Sequence, residues 1–216
     1  MTVLASNPVV LSHYATAAEL WDALGNVPLD RILIDPPPGT ATEADVLRLD
    51  DHEDRLCELI DGTLVEKVMG YEESAVALRI AHLLMAFVAP RKLGILTGEA
   101  GMMRIMPNRV RIPDVAFVSF DRLPGRKSPG VPIPHLAPDL AVEVLSESNT
   151  RQEMQKKLQE YFTAGTRLVW YVDLKTRSVD VYTSPENVAH LATEQTLSGG
   201  EVLPGFSAAV SELFDI

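Results

Sequence analysis

Apolar residues along the chain fall into short strand-like runs that alternate with two longer helical patterns. The strand-like runs occupy residues 56–60, 63–68, 95–97, 102–106, 111–120, 140–145, 168–172 and 178–182, and a weaker run covers residues 189–197. Apolar positions repeat with helical spacing over residues 72–89 and 151–164. This interleaving predicts an α/β (α+β) fold in which a mixed β-sheet is flanked by α-helices.

Local signals predict where several of these elements begin and end. Asp61-Gly62 joins two strand-like runs and accepts the left-handed backbone angles of a two-residue hairpin turn. Thr150 and Glu153 form a capping box that begins the second helix, and Gly165 ends it. A further amphipathic helix is predicted for residues 207–214.

The first fifty residues have a different character from the rest of the chain. Residues 16–24 predict a short amphipathic helix, the Pro-rich run at residues 36–39 breaks regular structure, and residues 42–49 predict another short helix. We therefore interpret residues 1–50 as an N-terminal extension with a linker, and residues 51–216 as one domain. A chain of 216 residues with 46% hydrophobic content suffices for one substantial core.

Composition narrows the location and the chemistry of the protein. No apolar run approaches the roughly 18 to 20 residues of a membrane span, and the N-terminus lacks a secretory pattern, so we expect a cytoplasmic protein that does not enter a membrane. Cys57 is the single cysteine, which excludes an internal disulfide and a cysteine zinc site. The five histidines lack metal-ligand spacing.

The net charge of −11 disfavours a general polyanion binder, because affinity for nucleic acid comes largely from neutralising phosphates. One segment is nevertheless basic, and it is a candidate for contact with a phosphate backbone or, alternatively, an ordinary solvated loop. Its candidate contact residues are Arg104, Arg109, Arg111, Arg126 and Lys127.

Three carboxylates lie inside strand-like apolar runs, where an acid is unusual. They are Glu58, Asp114 and Glu143. Buried carboxylates require cations, and two or three carboxylate oxygens with a backbone carbonyl suit Mg²⁺ or Mn²⁺. Such an ion polarises a phosphoryl oxygen and lowers the pKa of a bound water. The reaction that this set fits is phosphodiester hydrolysis.

Lys157 lies at the edge of the apolar face of the second helix, whereas Lys156 points to the opposite side. Lys157 can therefore reach back towards the sheet and Glu143. Two other interpretations of Lys157 are a lysine that extends its ammonium to solvent and an ion-pair partner of Glu153 one turn earlier.

Four motifs in series resemble the Uma2 family, formerly a domain of unknown function, within the PD-(D/E)XK nuclease superfamily. They are Cys-Glu58-Leu-Ile-Asp-Gly62, Ile-Pro113-Asp114-Val-Ala-Phe-Val, Val-Glu143-Val-Leu-Ser146-Glu-Ser, and Glu153-x-x-x-Lys157-x-x-x-Tyr161-x-x-x-Gly165 followed by Val-Trp170-Tyr-Val-Asp173. The resemblance covers roughly residues 56–215.

The resemblance implies a restriction-endonuclease-like core with a defined set of site residues. Asp114 and Glu143 would be metal ligands, Glu58 an accessory ligand, and the backbone carbonyl of Val144 would lie near the metal. The superfamily places a lysine two residues after the glutamate, where this chain has Leu145. In Uma2-like sequences a lysine on the following helix takes its place, and Lys157 occupies that position.

The sequence thus predicts a metal-dependent endonuclease that uses Mg²⁺ or Mn²⁺, with DNA as the favoured substrate and a homodimer as a possible state. Two alternatives remain open. One is a degenerate nuclease fold that serves as a binding or dimerisation module. The other is a metal-dependent hydrolase of a smaller phosphate compound, which the acidic composition would suit better.

Overall fold

The structure, a computed structural model, describes residues 14–216. Within that part of the chain lie four α-helices and twelve strands. The helices are α1 (Ala17–Ala23), α2 (Glu43–Glu53), α3 (Tyr71–Arg91) and α4 (Arg151–Thr163). The strands are β1 (Cys57–Ile60), β2 (Thr63–Glu66), β3 (Gly94–Thr97), β4 (Met103–Met106), β5 (Arg109–Arg111), β6 (Val115–Ser119), β7 (Leu140–Leu145), β8 (Leu168–Asp173), β9 (Ser178–Ser184), β10 (Asn187–Leu191), β11 (Thr196–Ser198) and β12 (Ser207–Ala209).

The strands form two main sheets rather than the one sheet that the sequence predicts. The larger sheet has the order β10-β9-β8-β7-β6-β3, and the smaller has the order β2-β1-β5-β4. Strands β7 and β8 are parallel and the other neighbours in the larger sheet are antiparallel, so this sheet is mixed. The predicted class, a mixed sheet flanked by helices, is confirmed.

Helices cover both faces of the larger sheet. Helix α3 packs its Val76, Ile80 and Leu84 against one face. Helix α4 packs Met154 and Leu158 against the other. Strand β7 is buried on both faces, which explains its nearly continuous apolar sequence.

Residues 111–120 were expected to form one strand, but they belong to two sheets. The chain leaves the smaller sheet after Arg111 and enters the larger sheet at Val115. Pro113 lies at this crossing, where a residue without an N–H group costs no ladder hydrogen bond. Asp114 is thereby placed at the junction of the sheets, where its N–H donates to the carbonyl of Val142.

The predicted local signals have mixed outcomes. Asp61 and Gly62 both have positive φ, as the hairpin turn requires. Thr150 accepts from the Glu153 N–H while the Glu153 carboxylate accepts from the Thr150 N–H, so the capping box is present. The terminal helix predicted for residues 207–214 is wrong: strand β12 is followed by a 3₁₀ helix over Val210–Phe214.

Helix α3 differs from the expectation that no apolar run is long enough to span a membrane. Its 21 residues reach the required length and composition. Leu78 and Met85 are exposed on its outer side, 73% and 46% respectively. A core helix of a globular protein passes the same test, and the opposite side of α3 does pack in the core.

The described part of the N-terminal extension is attached to the rest of the protein, and the predicted boundary at residue 50 falls within α2. Leu24 and Val27 pack on Ile60 and Val65 of the first hairpin. Helix α2 buries Val46 and Leu49 against the smaller sheet. Residues 14–50 are therefore not a free linker, whereas residues 1–13 lie outside the described part.

Arg31 is the strongest link between this segment and the remainder. Its side chain is 7% exposed, and its guanidinium pairs with both carboxylate oxygens of Glu153 on α4, at 2.9 and 3.1 Å. It also donates to the backbone carbonyl of Glu66, at the end of β2, and to that of Ser148, in the loop before α4. One side chain thus joins the first hairpin to the helix that carries Lys157.

We predict that Arg31→Met lowers the free energy of unfolding by about 3–5 kcal/mol, because it leaves the Glu153 carboxylate buried without its cation. Urea denaturation would measure the change. The matched control is Arg48→Met, since Arg48 pairs with Glu53 in a bridge whose side chains are 44% and 43% exposed. The control should cost less than about 1 kcal/mol, and an equally small loss for Arg31→Met would contradict the prediction.

Candidate active site

The three predicted carboxylates converge at the junction of the two sheets. Glu58 lies on β1, Asp114 directly precedes β6 and Glu143 is at the centre of β7. Their side chains are 2%, 5% and 6% exposed, respectively. Such burial requires each carboxylate to have partners for its oxygens.

Lys157 occupies the centre of the cluster, as the helix position predicted. Its Nζ lies 3.1 Å from Glu58 Oε1 and 3.1 and 3.2 Å from the two oxygens of Glu143. Lys156, one residue earlier, instead donates to the backbone carbonyls of Asp22 and Ala23 in α1. The structure therefore separates the two lysines as expected.

Asp114 is held by a second lysine that the sequence interpretation missed. Lys67 Nζ lies 2.8 Å from Asp114 Oδ1 and donates to the carbonyl of Ile112 at 2.6 Å. The other carboxylate oxygen, Oδ2, accepts from the Val144 N–H at 2.6 Å. Val144 is thus next to the cluster through its N–H, while the predicted contact of its carbonyl with a metal stays a prediction.

Arg111 and Tyr161 complete the set of donors. The Arg111 side chain is 3% exposed, and its guanidinium donates to Glu58 Oε2 at 2.5 Å and to Glu160 Oε2 at 2.6 Å. The Tyr161 hydroxyl donates to Glu143 Oε1 at 2.5 Å. With the Ile112 N–H on Glu58 Oε1, every oxygen of the three carboxylates has at least one donor.

Sequence alternation contains a signal for these missed cations. Glu58 faces Val65 across the first hairpin, and Lys67 is two residues further along, so it lies on the same face as Glu58. Leu59 faces Val110 in the neighbouring pair, which places Arg111 beside Glu58. Both inferences need the pairing of β1 with β2 and β5, and only the hairpin can be inferred from sequence.

The ion pairs shift several pKa values. Burial alone would raise the pKa of Glu58, but the charges of Lys157 and Arg111 outweigh it and lower the pKa to about 2. Burial raises the pKa of Glu143 despite the nearby Lys157 charge, and Asp114 adds to the rise. Burial lowers the pKa of Lys157, but the charges of Glu143 and Glu58 raise it by more. The net pKa is therefore raised, and the ammonium stays charged at neutral pH.

The donor types, three carboxylate groups, are those that a hard divalent ion prefers. However, the ammonium and guanidinium groups of nearby residues already contact these carboxylates. Lys67, Lys157 and Arg111 balance Glu58, Asp114 and Glu143 in charge. Within residues 14–216 no group of three His, Cys, Asp or Glu side chains has a geometry ready to hold a metal ion. An ion at Asp114 and Glu143 would therefore have to replace an ammonium group.

The predicted nucleic-acid contacts do not form a free basic track. Arg104 pairs with Glu43, Arg109 with Asp61 and Glu160, and Arg126 with Asp121. Arg111 is buried in the cluster described above, while Lys127 is exposed. A role for these residues in binding nucleic acid stays a prediction, and Arg111 could take part only after leaving its buried partners.

Two cavities lie beside the cluster. A groove of about 940 Å³ runs along the ends of β7 and β8 and the start of α4, with Tyr171, Tyr182 and Met154 among its lining residues and acids that include Glu147 and Asp173. A smaller cavity of about 240 Å³ is lined by Asp54, Arg55, Leu56, Glu66, Lys67, Met69, Ser74 and Glu99. Lys67 lines the smaller cavity, and no residue of the cluster lines the groove.

Comparisons with known proteins identify a family and a fold. The model of the Uma2 family, described as "Putative restriction endonuclease", matches residues 43–211. Among solved structures, the chain is similar to a "putative nuclease belonging to DUF820" from Anabaena variabilis ATCC 29413, with a TM-score of 0.66 and 19% sequence identity over 74% of this chain and 90% of that one. At this identity the likeness shows the fold. No curated protein sequence matches the chain.

We predict that the stabilising effect of Glu58 fades in acid. Because its folded-state pKa of about 2 lies below the ordinary value of 4.5, its ionised form stabilises the fold above pH 4.5, and this stabilisation is lost as the pH falls towards 2. Urea unfolding of wild type and Glu58→Gln, with EDTA present, would measure it. The difference between them should shrink as the pH falls below 4.5.

The matched control for this measurement is Glu53→Gln, whose side chain is 43% exposed. It should differ little from wild type across the same pH range. A difference between wild type and Glu58→Gln that stays constant with pH would contradict the prediction.

Proposed function

The chain belongs to the Uma2 family, and on that premise we propose that it is a metal-dependent endonuclease that hydrolyses phosphodiester bonds, with DNA as its substrate. The observation that carries the proposal is a buried cluster at the junction of the two sheets, in which Lys157 binds Glu58 and Glu143 and Lys67 binds Asp114. Charged side chains are seldom buried, so a buried cluster of them points to a functional site rather than to ordinary surface ion pairs.

The reaction adds water across the bond: the water oxygen bonds to phosphorus, the bond from phosphorus to the leaving sugar oxygen breaks, and that oxygen takes up a proton. Asp114 and Glu143 would hold Mg²⁺ or Mn²⁺, with Glu58 as an accessory ligand. When bound, such an ion supplies charge stabilisation at the phosphoryl oxygens and a water of lowered pKa. The protein's own contribution is to fix the carboxylates and to supply cations near the phosphate.

Each carboxylate is held from a rigid element, which favours precise placement. Tyr161 and Lys157 project from α4 onto Glu143, and the Val144 N–H fixes Asp114. Charge-assisted hydrogen bonds of this kind restrict the rotamers of the acids. Strands and α4 therefore supply most of the geometry of the site, and Lys67 on the connection after β2 completes it.

One alternative from the sequence gains support from the structure. Because each of the three acids has a buried cation beside it, its charge is paired without an ion, and a nuclease fold that only binds a partner could also keep the cluster. The other alternative, a hydrolase of a smaller phosphate compound, is supported by the acids that line the large groove, since they repel a polyanion more than a small substrate. The predicted DNA preference, dimer and cytoplasmic location stay predictions.

We predict that the purified protein nicks supercoiled plasmid DNA when Mn²⁺ or Mg²⁺ is added, and that EDTA stops it. Asp114→Asn should lower the rate by about 10³-fold or more, because it removes a charge that the transition state requires. Gel analysis of the plasmid would measure this, and circular dichroism would confirm folding.

The control variant is Asp121→Asn, whose side chain is 84% exposed in a surface pair with Arg126. It should cleave at the wild-type rate. Failure of the wild type to cleave DNA, RNA or a small phosphodiester with either metal would contradict the nuclease proposal and favour the binding-module alternative.

A further inference from the structure

The two buried lysines of the site differ in how their donors are used. A lysine ammonium has three N–H donors. Those of Lys157 are directed to Glu58 Oε1 and to both oxygens of Glu143, all within 3.2 Å. Lys157 lines neither of the two cavities beside the cluster. It is enclosed and saturated, so it has no donor left for a substrate.

Lys67 has a looser environment. It has short contacts to Asp114 Oδ1 and the Ile112 carbonyl, but its third contact, to the Glu99 carbonyl, is 3.4 Å long. It directly follows β2 and leads into the connection to α3, rather than standing within a helix as Lys157 does. A modest rotation of its side chain would free Asp114 Oδ1.

The small cavity has room for the Lys67 ammonium once it leaves Asp114. Its volume of about 240 Å³ is enough for a phosphoryl group and a few waters, since one water takes up about 30 Å³ of liquid. Its lining also holds acids, of which Glu66 pairs with Arg55 and Glu99 accepts from Ser74, so a phosphate there depends on the Lys67 charge. The Met69 side chain contributes an apolar wall. The cavity therefore reaches Lys67, whose ammonium is paired with Asp114.

From these contacts we propose that Lys67 is the exchangeable cation of the site: a divalent ion takes Asp114 Oδ1 in place of the Lys67 ammonium, which turns into the small cavity and binds an oxygen of the substrate phosphate. This inference rests on the proposed function. It assigns Lys157 a different task, holding Glu58 and Glu143 in place. It also explains how a charge-balanced cluster accepts an ion: the positive charge that leaves Asp114 is used on the phosphate.

The first test is the affinity of the metal-stripped protein for Mn²⁺, measured by titration calorimetry. Lys67→Met should bind Mn²⁺ about tenfold more tightly than wild type or better, because no ammonium has to leave Asp114 and the carboxylate has lost its cation. Lys67→Arg should not bind more tightly than wild type. The control Lys175→Met, at a side chain that is 82% exposed, should match wild type.

The second test separates metal binding from cleavage. Saturating Mn²⁺ should raise the melting temperature of Lys67→Met by more than that of wild type, since the ion restores a partner to Asp114. Even at saturating Mn²⁺, Lys67→Met should cleave plasmid DNA about 10²-fold more slowly. If Lys67→Met does not fold, Lys67→Gln takes its place, because its amide can still donate to the Ile112 carbonyl.

The outcomes distinguish this inference from the proposed function. Unchanged or weaker Mn²⁺ affinity in the Lys67 variant, with cleavage at the wild-type rate, would overturn the inference and leave the nuclease proposal intact. Tighter Mn²⁺ binding in the variant, with no cleavage by any form of the protein including wild type, would support the exchange at Asp114 and overturn the nuclease proposal.

Discussion

The fold depends on neutralising carboxylates that lie inside its core. Glu58, Asp114 and Glu143 are each placed by a strand or a strand entrance, and each would cost several kcal/mol if its charge were left unpaired. The cations that meet them come from three separate elements: Lys67 after β2, Arg111 in β5 and Lys157 in α4. The two sheets and α4 are therefore joined by charge at the same place where they meet by packing.

Much of this arrangement could be predicted because the information is local. An acid inside an apolar run is visible in the sequence, and so are the Asp61-Gly62 turn and the capping box of α4. The helical period also places Lys157 and Lys156 on different sides, as their contacts show. In each case the relevant neighbours are within a few residues, so spacing alone carries the geometry.

The remainder could not be predicted because it depends on distant pairings. The division of residues 111–120 between two sheets follows from tertiary contacts on either side of Pro113, not from their apolar pattern. The partners of Asp114 and Glu58 depend on which strands pair and in which register. Residues 207–214 are too few to distinguish a short strand and a 3₁₀ turn from an amphipathic helix. Arg31 and Glu153 are separated by 122 positions, and no local signal connects them.

The pair of Arg31 and Glu153 has an evolutionary consequence. Arg31 lies before the region that the family model matches, and Glu153 lies within it. Glu153 is tied to Arg31 and also caps the helix that carries Lys157. Loss of either partner alone leaves the other charge buried without a counter-ion, so substitutions at the two positions are energetically coupled. The segment before residue 43 is thus energetically coupled to α4, and exchanging it between distant relatives would succeed only where both members of the pair are exchanged.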